Sequence, residues 1–294
     1  PRFDLSTTAN STQNNAQPDQ LLKQQDIRLQ QRVNAVVNKD SLRKAIADKR
    51  LSVALVDITN LQDPRFASIN GDTMMYAASL PKIALLLGAY EVADRNHQAI
   101  DETKFNTLVN MIRYSSNKAA TEIYEDIGPA TLANILQSKR YQLYNKEQNG
   151  GLWVGRPYAK AQAWKRDPLH NISHGATANQ VARFYYMLET GKLVSPAASS
   201  EMKQILSEPG INHKFVRGLS GRPGSKIFRK SGSWRNYHAD SAIVERDGKR
   251  YIAVVLAHDN QGGKWIEQLI GTFDDVIHAT PNLLAGHPVE KPLS

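Results

Sequence analysis

Tyr76-Ala77-Ala78-Ser79-Leu80-Pro81-Lys82 runs without a break into Ile83-Ala84-Leu85-Leu86-Leu87-Gly88-Ala89-Tyr90. Ser79 opens an apolar run with proline two positions on, where a missing N–H does no harm and φ is preset for a helix. The run is apolar on every side, which predicts a helix buried in the middle of a domain. Lys82 lies one turn after Ser79 on the same face. The positive end of a helix and partial burial both favour a neutral amine, which can take the proton of the serine hydroxyl. The free N–H groups of the first turn also suit an oxyanion. The same Ser-Xaa-Xaa-Lys spacing recurs at Ser41/Lys44, Ser115/Lys118 and Ser200/Lys203. Those three fall in charged segments, where a capping serine and a solvated lysine need no further role.

The chain has 294 residues, enough to bury a sizeable core as one large domain or two lobes. Its 41% apolar and 22% charged residues are ordinary for a soluble globular protein, and the most apolar segment is interrupted by Lys82, too short to span a bilayer. Without cysteine there is no disulfide, thiolate nucleophile or zinc-thiolate site, which suits an oxidising compartment. The net charge of +9 favours polyanions. The basic residues are scattered and no nucleic-acid motif is present; an anionic cell-wall polymer fits the charge as well as nucleic acid does.

Residues 1–20 are polar and read as a leader or tether without the pattern of a signal peptide. From Leu22, Leu29, Val33 and Val36 keep helical spacing, and a second helix follows from Ser41 to about Lys49. Leu51 to Ile58 is strand-like, and Asp63-Pro64 turns into a short strand near Phe66. Helical patterns follow Ser79, with Phe105, Leu108, Val109 and Ile112 on one face and Ala119, Ala120, Ile123 and Tyr124 on the next. Periodicity disappears between Lys139 and Ala178, and a loop of that length inside a domain is usually functional. A helix through Val181, Phe184, Tyr185 and Leu188 ends at Gly191. Strands are expected at Lys226–Trp234, Ala239–Glu245 and Tyr251–Ala257, the last two joined by the Asp247-Gly248 turn. A final helix carries Trp265, Ile266, Leu269, Phe273 and Val276. Strands at both ends with helices between predict one α/β lobe (about 21–70 and 214–294) and an inserted all-helical lobe (about 71–213), with a cleft between them.

Two further motifs stand beside Ser79/Lys82: Ser115-Ser116-Asn117 between two helices, and Lys230-Ser231-Gly232 in a C-terminal strand. The ordered set resembles the penicillin-recognising serine enzymes, β-lactamases and penicillin-binding proteins, with Tyr76-Ala77-Ala78-Ser79 and Arg113-Tyr114-Ser115-Ser116-Asn117 most similar to the class A branch. The resemblance covers roughly residues 45 to 280 and implies a β-lactamase/transpeptidase-like α+β fold, an antiparallel sheet flanked by helices. It implies Ser79 as acylated nucleophile, Lys82 as its base or proton relay, and Ser115 as donor to the leaving nitrogen. Asn117 would hold the substrate's amide side chain, and Lys230 and Ser231 its carboxylate. Gly232 would let substrate lie along the strand, and the Ser79 and Ser233 N–H groups would form the oxyanion hole.

The chain departs from class A in three places, the first being a noticeably shorter connection from Lys82 to Ser115. Ser116 stands where the middle motif usually has aspartate, and Asp167-Pro168-Leu169-His170-Asn171 stands where class A has Glu-Pro-Xaa-Leu-Asn. If Asp167 activates the deacylating water, its shorter side chain predicts slow release. The alternative role for Asp167 is that of a loop residue capping a turn before Pro168.

The expected function is a class A β-lactamase-like serine hydrolase acting on β-lactams or D-alanyl peptides. The alternatives are a D-alanyl-D-alanine peptidase inhibited by β-lactams, and a non-catalytic wall-binding protein. A β-lactam or a peptidoglycan stem peptide is the expected partner, with no nucleic acid, no cofactor, a monomeric state and a periplasmic or secreted location. His170 and His174 have i,i+4 spacing, but Asn171 and Gly175 favour a loop over a metal-binding helix. Trp153, Trp164 and Trp234 are candidates for the walls of a cleft, though packing is the commoner use of tryptophan.

Overall fold

The computed structural model describes residues 21–279; the polar leader expected at 1–20 and the stretch 280–294 lie outside the described residues. In chain order the elements are α1 (Ile27–Val37), α2 (Asp40–Ala47), β1 (Leu51–Asp57), β2 (Arg65–Ile69), β3 (Met75–Tyr76), α3 (Lys82–Arg95), α4 (Glu102–Arg113), α5 (Asn117–Ile127) and α6 (Pro129–Gln137). There follow β4 (Tyr144–Asn145), β5 (Gly150–Gly151), β6 (Trp153–Val154), β7 (His174–Ala176), α7 (Ala178–Glu189), α8 (Pro196–Leu206), α9 (Phe215–Gly218), β8 (Lys226–Trp234), β9 (Tyr237–Arg246), β10 (Lys249–His258) and α10 (Gly262–His278).

The main sheet is five-stranded and antiparallel, in the order β2-β1-β10-β9-β8. Its central strands are buried on both faces, which is why Leu51–Asp57 reads as an unbroken apolar run rather than an alternating one. The pleat still sorts the side chains. Val53, Leu55, Ala253 and Val255 join the core beneath α1, α2, α9 and α10, while Ala54, Val56, Ile252 and Val254 join the core shared with α7 and the inserted helices.

α3 is the central helix of the segment between β3 and β8. Its residues Lys82 through Glu91 are all buried, packed against α4, α5, α6 and α8. Helices dominate this segment, and two small sheets accompany them where an all-helical lobe is expected. One has the order β3-β7-β6 and the other pairs β4 with β5. The first matters for chemistry. Tyr76 pairs with Gly175, and the Ala77 N–H donates to the His174 carbonyl at 2.9 Å, so the chain entering Ser79 is bound to the end of the long aperiodic segment.

Candidate active site

The helix begins at Lys82 with Pro81 before it, not at Ser79. Residues 77–83 form successive tight turns in which Leu80, Lys82 and Ile83 donate to the carbonyls of Ala77, Ser79 and Leu80. Ala78 takes a left-handed φ of 51° to enter them. Ser79 is therefore presented on a turn rather than used as a cap. Among the described residues no backbone carbonyl takes its N–H, which leaves that donor for an oxyanion. β8 passes directly over this turn. A Cβ on Gly232 would lie 2.1 Å from the Ala77 oxygen and 2.8 Å from the Ser79 nitrogen. The close approach of two backbones is what requires glycine in the Lys230-Ser231-Gly232 motif.

Lys82 is fully buried, and burial pushes its pKa down to about 7. Its amine donates to the Ser115 carbonyl at 2.7 Å and to the Asn117 Oδ1 at 2.8 Å, while the Ser115 Oγ lies farther off at 3.4 Å. A neutral amine has two N–H groups and one lone pair. Two short bonds occupy the donors and leave the lone pair able to accept a proton. The Tyr158 ring lies 4.6 Å from the nitrogen and closes the site above it.

Ser115 holds a left-handed φ of 58° between α4 and α5. Its neighbour Ser116 caps α5, its side chain accepting from the Ala119 N–H. The serine in place of aspartate thus serves the helix, and Ser115 is left to face the lysines. Lys230 reaches the Ser115 Oγ from the opposite wall at 3.1 Å and also donates to the Ser231 carbonyl at 2.8 Å. Lys230 is buried, and burial, followed by the positive charge of Lys82, pulls its pKa well below the ordinary lysine value. One hydroxyl thus touches two buried amines.

Lys214, which no motif marks, supports the strand from behind. It sits at φ 50° and donates to the Gly232 carbonyl at 2.6 Å, the Ser233 Oγ at 2.7 Å and the Ala239 carbonyl at 3.0 Å. Burial lowers its pKa to about 8. Beneath it, Arg229 and Asp240 form a buried ion pair at 2.7 Å.

A cleft of about 390 Å³ opens beside Ser79, and Asn117, Tyr158, His174, Ser233 and Trp234 are among the residues that line it. The structure does not bring Asp167 into this cleft. Its carboxylate accepts from the Tyr144 hydroxyl and from the N–H groups of Leu169, His170 and Ile172, at 2.7 to 3.1 Å. Four donors converge on one buried carboxylate, which makes Asp167 the knot of its own loop. His174 does line the cleft. Its ring nitrogens are engaged by the Ser173 hydroxyl and the Arg156 carbonyl, and burial lowers its pKa to about 4. His170 instead contacts Asn149. Of the tryptophans, Trp234 lines the cleft, Trp153 is buried with its indole N–H on the Lys165 carbonyl, and Trp164 is partly exposed.

The chain belongs to the β-lactamase enzyme family: the model of that family matches residues 104–280. Comparison with curated proteins finds no match. Among solved structures it is similar to PBP-A (17% identity, TM-score 0.64, covering 86% of this chain and 97% of that one). It is similar also to a PBP-A variant in acyl-enzyme complex with penicillin G (18% identity, TM-score 0.65, 86% and 97% covered). A β-lactamase from Sphaerobacter thermophilus gives 17% identity and a TM-score of 0.63, with 84% and 95% covered. At such identities the likeness shows the fold alone, a β-lactamase/transpeptidase-like one.

Proposed function

We propose that this protein is a class A β-lactamase-like serine hydrolase that forms an acyl-enzyme on Ser79 with β-lactams or D-alanyl peptides and releases it slowly. The observation that carries this reading is the state of Lys82: buried, with a pKa of about 7 and both donors engaged. In its neutral form it takes the Ser79 proton as Oγ attacks the carbonyl. The N–H groups of Ser79 and Ser233 receive the oxyanion, and the C–N bond breaks as Ser115 protonates the departing nitrogen. The contacts of Ser115 with Lys82 and Lys230 supply a route by which that proton is replaced. Asn117 orients the substrate amide, and Lys230 and Ser231 attract its carboxylate as Gly232 lets it lie along β8.

Slow release is supported by the engagement of Asp167 within its own loop, and by the absence of Asp and Glu from the described residues that line the cleft. The same observation favours a second reading, a D-alanyl-D-alanine peptidase that β-lactams inhibit. A non-catalytic wall binder has less support, since burying two lysines destabilises a fold that gains no chemistry from them. The lack of cysteine supports a periplasmic or secreted location.

Stopped-flow mixing with a chromogenic β-lactam tests the reading. The expected trace is a burst equal in amount to the enzyme, then slow turnover, with no burst from Ser79→Ala. Rapid linear turnover without a burst would show that release is not limiting.

A further inference from the structure

The charges around the cleft are one-sided. Arg156 and Lys160 line it on the side of the long loop, and among the described residues no carboxylate lines it. Three other partly buried arginines are matched to carboxylates: Arg65 with Asp57, Arg113 with Glu208, Arg246 with Asp274. Among the described residues Arg156 has no such partner. It makes one hydrogen bond, to the Ala159 carbonyl at 3.3 Å, and its Nε–H is buried with no acceptor. A half-buried guanidinium with an unused N–H is costly unless something negative completes it.

The loop does not leave this group adrift. The Arg156 carbonyl accepts from His174 at 2.9 Å, and the preceding Gly155 exchanges backbone bonds with Ser173 and Lys165. The side chain therefore projects from backbone fixed beside β7, the strand that pairs with the chain entering the Ser79 turn. Its positive charge reaches the cleft interior, where it opposes the burial that raises the Tyr76 pKa.

Resting on the acyl-enzyme reading above, we propose that Arg156 and Lys160 form a second anion subsite, so that this enzyme selects dianionic substrates. One carboxylate is held by Lys230 and Ser231. The other lies on the acyl side chain, which passes Asn117 and ends against the Arg156 wall. Guanidinium–carboxylate contacts of this kind are charge-assisted and geometrically specific.

The test compares benzylpenicillin with carbenicillin, which differs by one carboxylate on the side chain. The second-order acylation rate of the wild-type protein is expected to favour carbenicillin by about tenfold or more. Arg156→Ala should bring that ratio close to one, Lys160→Ala should lower it partly, and Arg156→Lys should restore part of it. Added salt should compress the wild-type ratio, because a partly exposed charge contact is screened. A wild-type ratio at or below one, or a ratio that neither alanine variant changes, overturns the subsite. Calorimetric Kd values for the two penicillins on Ser79→Ala give the same ratio without acylation. Failure of the chemistry with an intact Kd ratio would count against the acyl-enzyme reading and for the subsite. A Kd ratio of one would count against the subsite alone.

Discussion

Lys82 changes charge within the neutral pH range because burial has pushed its pKa down to about 7. In the proposed mechanism the neutral form is the base, and its fraction grows as pH rises through that value. Acylation, read as kcat/KM, should therefore climb about tenfold per pH unit below the pKa and level off above it. A profile that is flat from weakly acidic to weakly basic pH would remove Lys82 as the base. Asp167 gives the second prediction at this scale. Asp167→Glu, which restores the acid of the class A loop motif, should not speed turnover, because four donors hold the carboxylate in place. An extra methylene in that knot should instead lower stability by about 1–3 kcal/mol, measured by urea unfolding. Increased steady-state turnover in this variant would return Asp167 to the mechanism. Ser79, Lys82 and Lys230 were legible because each lies in a short motif. Tyr158 and Lys214 were not, since Tyr158 bonds the Ala78 carbonyl and Lys214 the Gly232 carbonyl, across gaps that no spacing rule connects.

At the scale of elements, β8 and the Ser79 turn are positioned by contact of backbone with backbone. Gly232→Ala places a methyl against the Ala77 oxygen and the Ser79 and Leu80 nitrogens, none of which is a flexible side-chain end. Strand and turn must separate, and displacements of about 1 Å cost on the order of a hundredfold in rate. The variant should remain folded by circular dichroism and acylate about a hundredfold more slowly; wild-type rates would mean that the strand does not set the oxyanion geometry. The main strands were readable because their apolar runs are continuous and bounded by turns such as Asp247-Gly248. Pro129 after Gly128 and Pro196 after Ser195 mark the starts of α6 and α8. The segment from Lys139 to Ala178 resisted reading for a physical reason. It is held by single long-range bonds, such as the Trp153 indole on Lys165, and by two-residue strands too short to leave a period.

Across the whole molecule, residues distant in sequence converge where the inserted lobe meets the sheet. α3 brings Lys82, the α4–α5 junction brings Ser115 and Asn117, and the edge strand β8 brings Lys230 through Ser233. Arg229 and Asp240 lock that edge to the segment carrying Lys214, with Arg229 also donating to the Ile211 and His213 carbonyls. The order of strands and helices was visible in the sequence, whereas the small β3-β7-β6 sheet that ties the loop to Ser79 was not. The most direct test of the central claim is intact mass over time after mixing with benzylpenicillin, with peptide mapping of the product. The account expects one penicillin added per protein, mapped to Ser79, that outlasts consumption of the free drug. No adduct on the folded protein, or an adduct mapped to Ser41, Ser115 or Ser200, would contradict it.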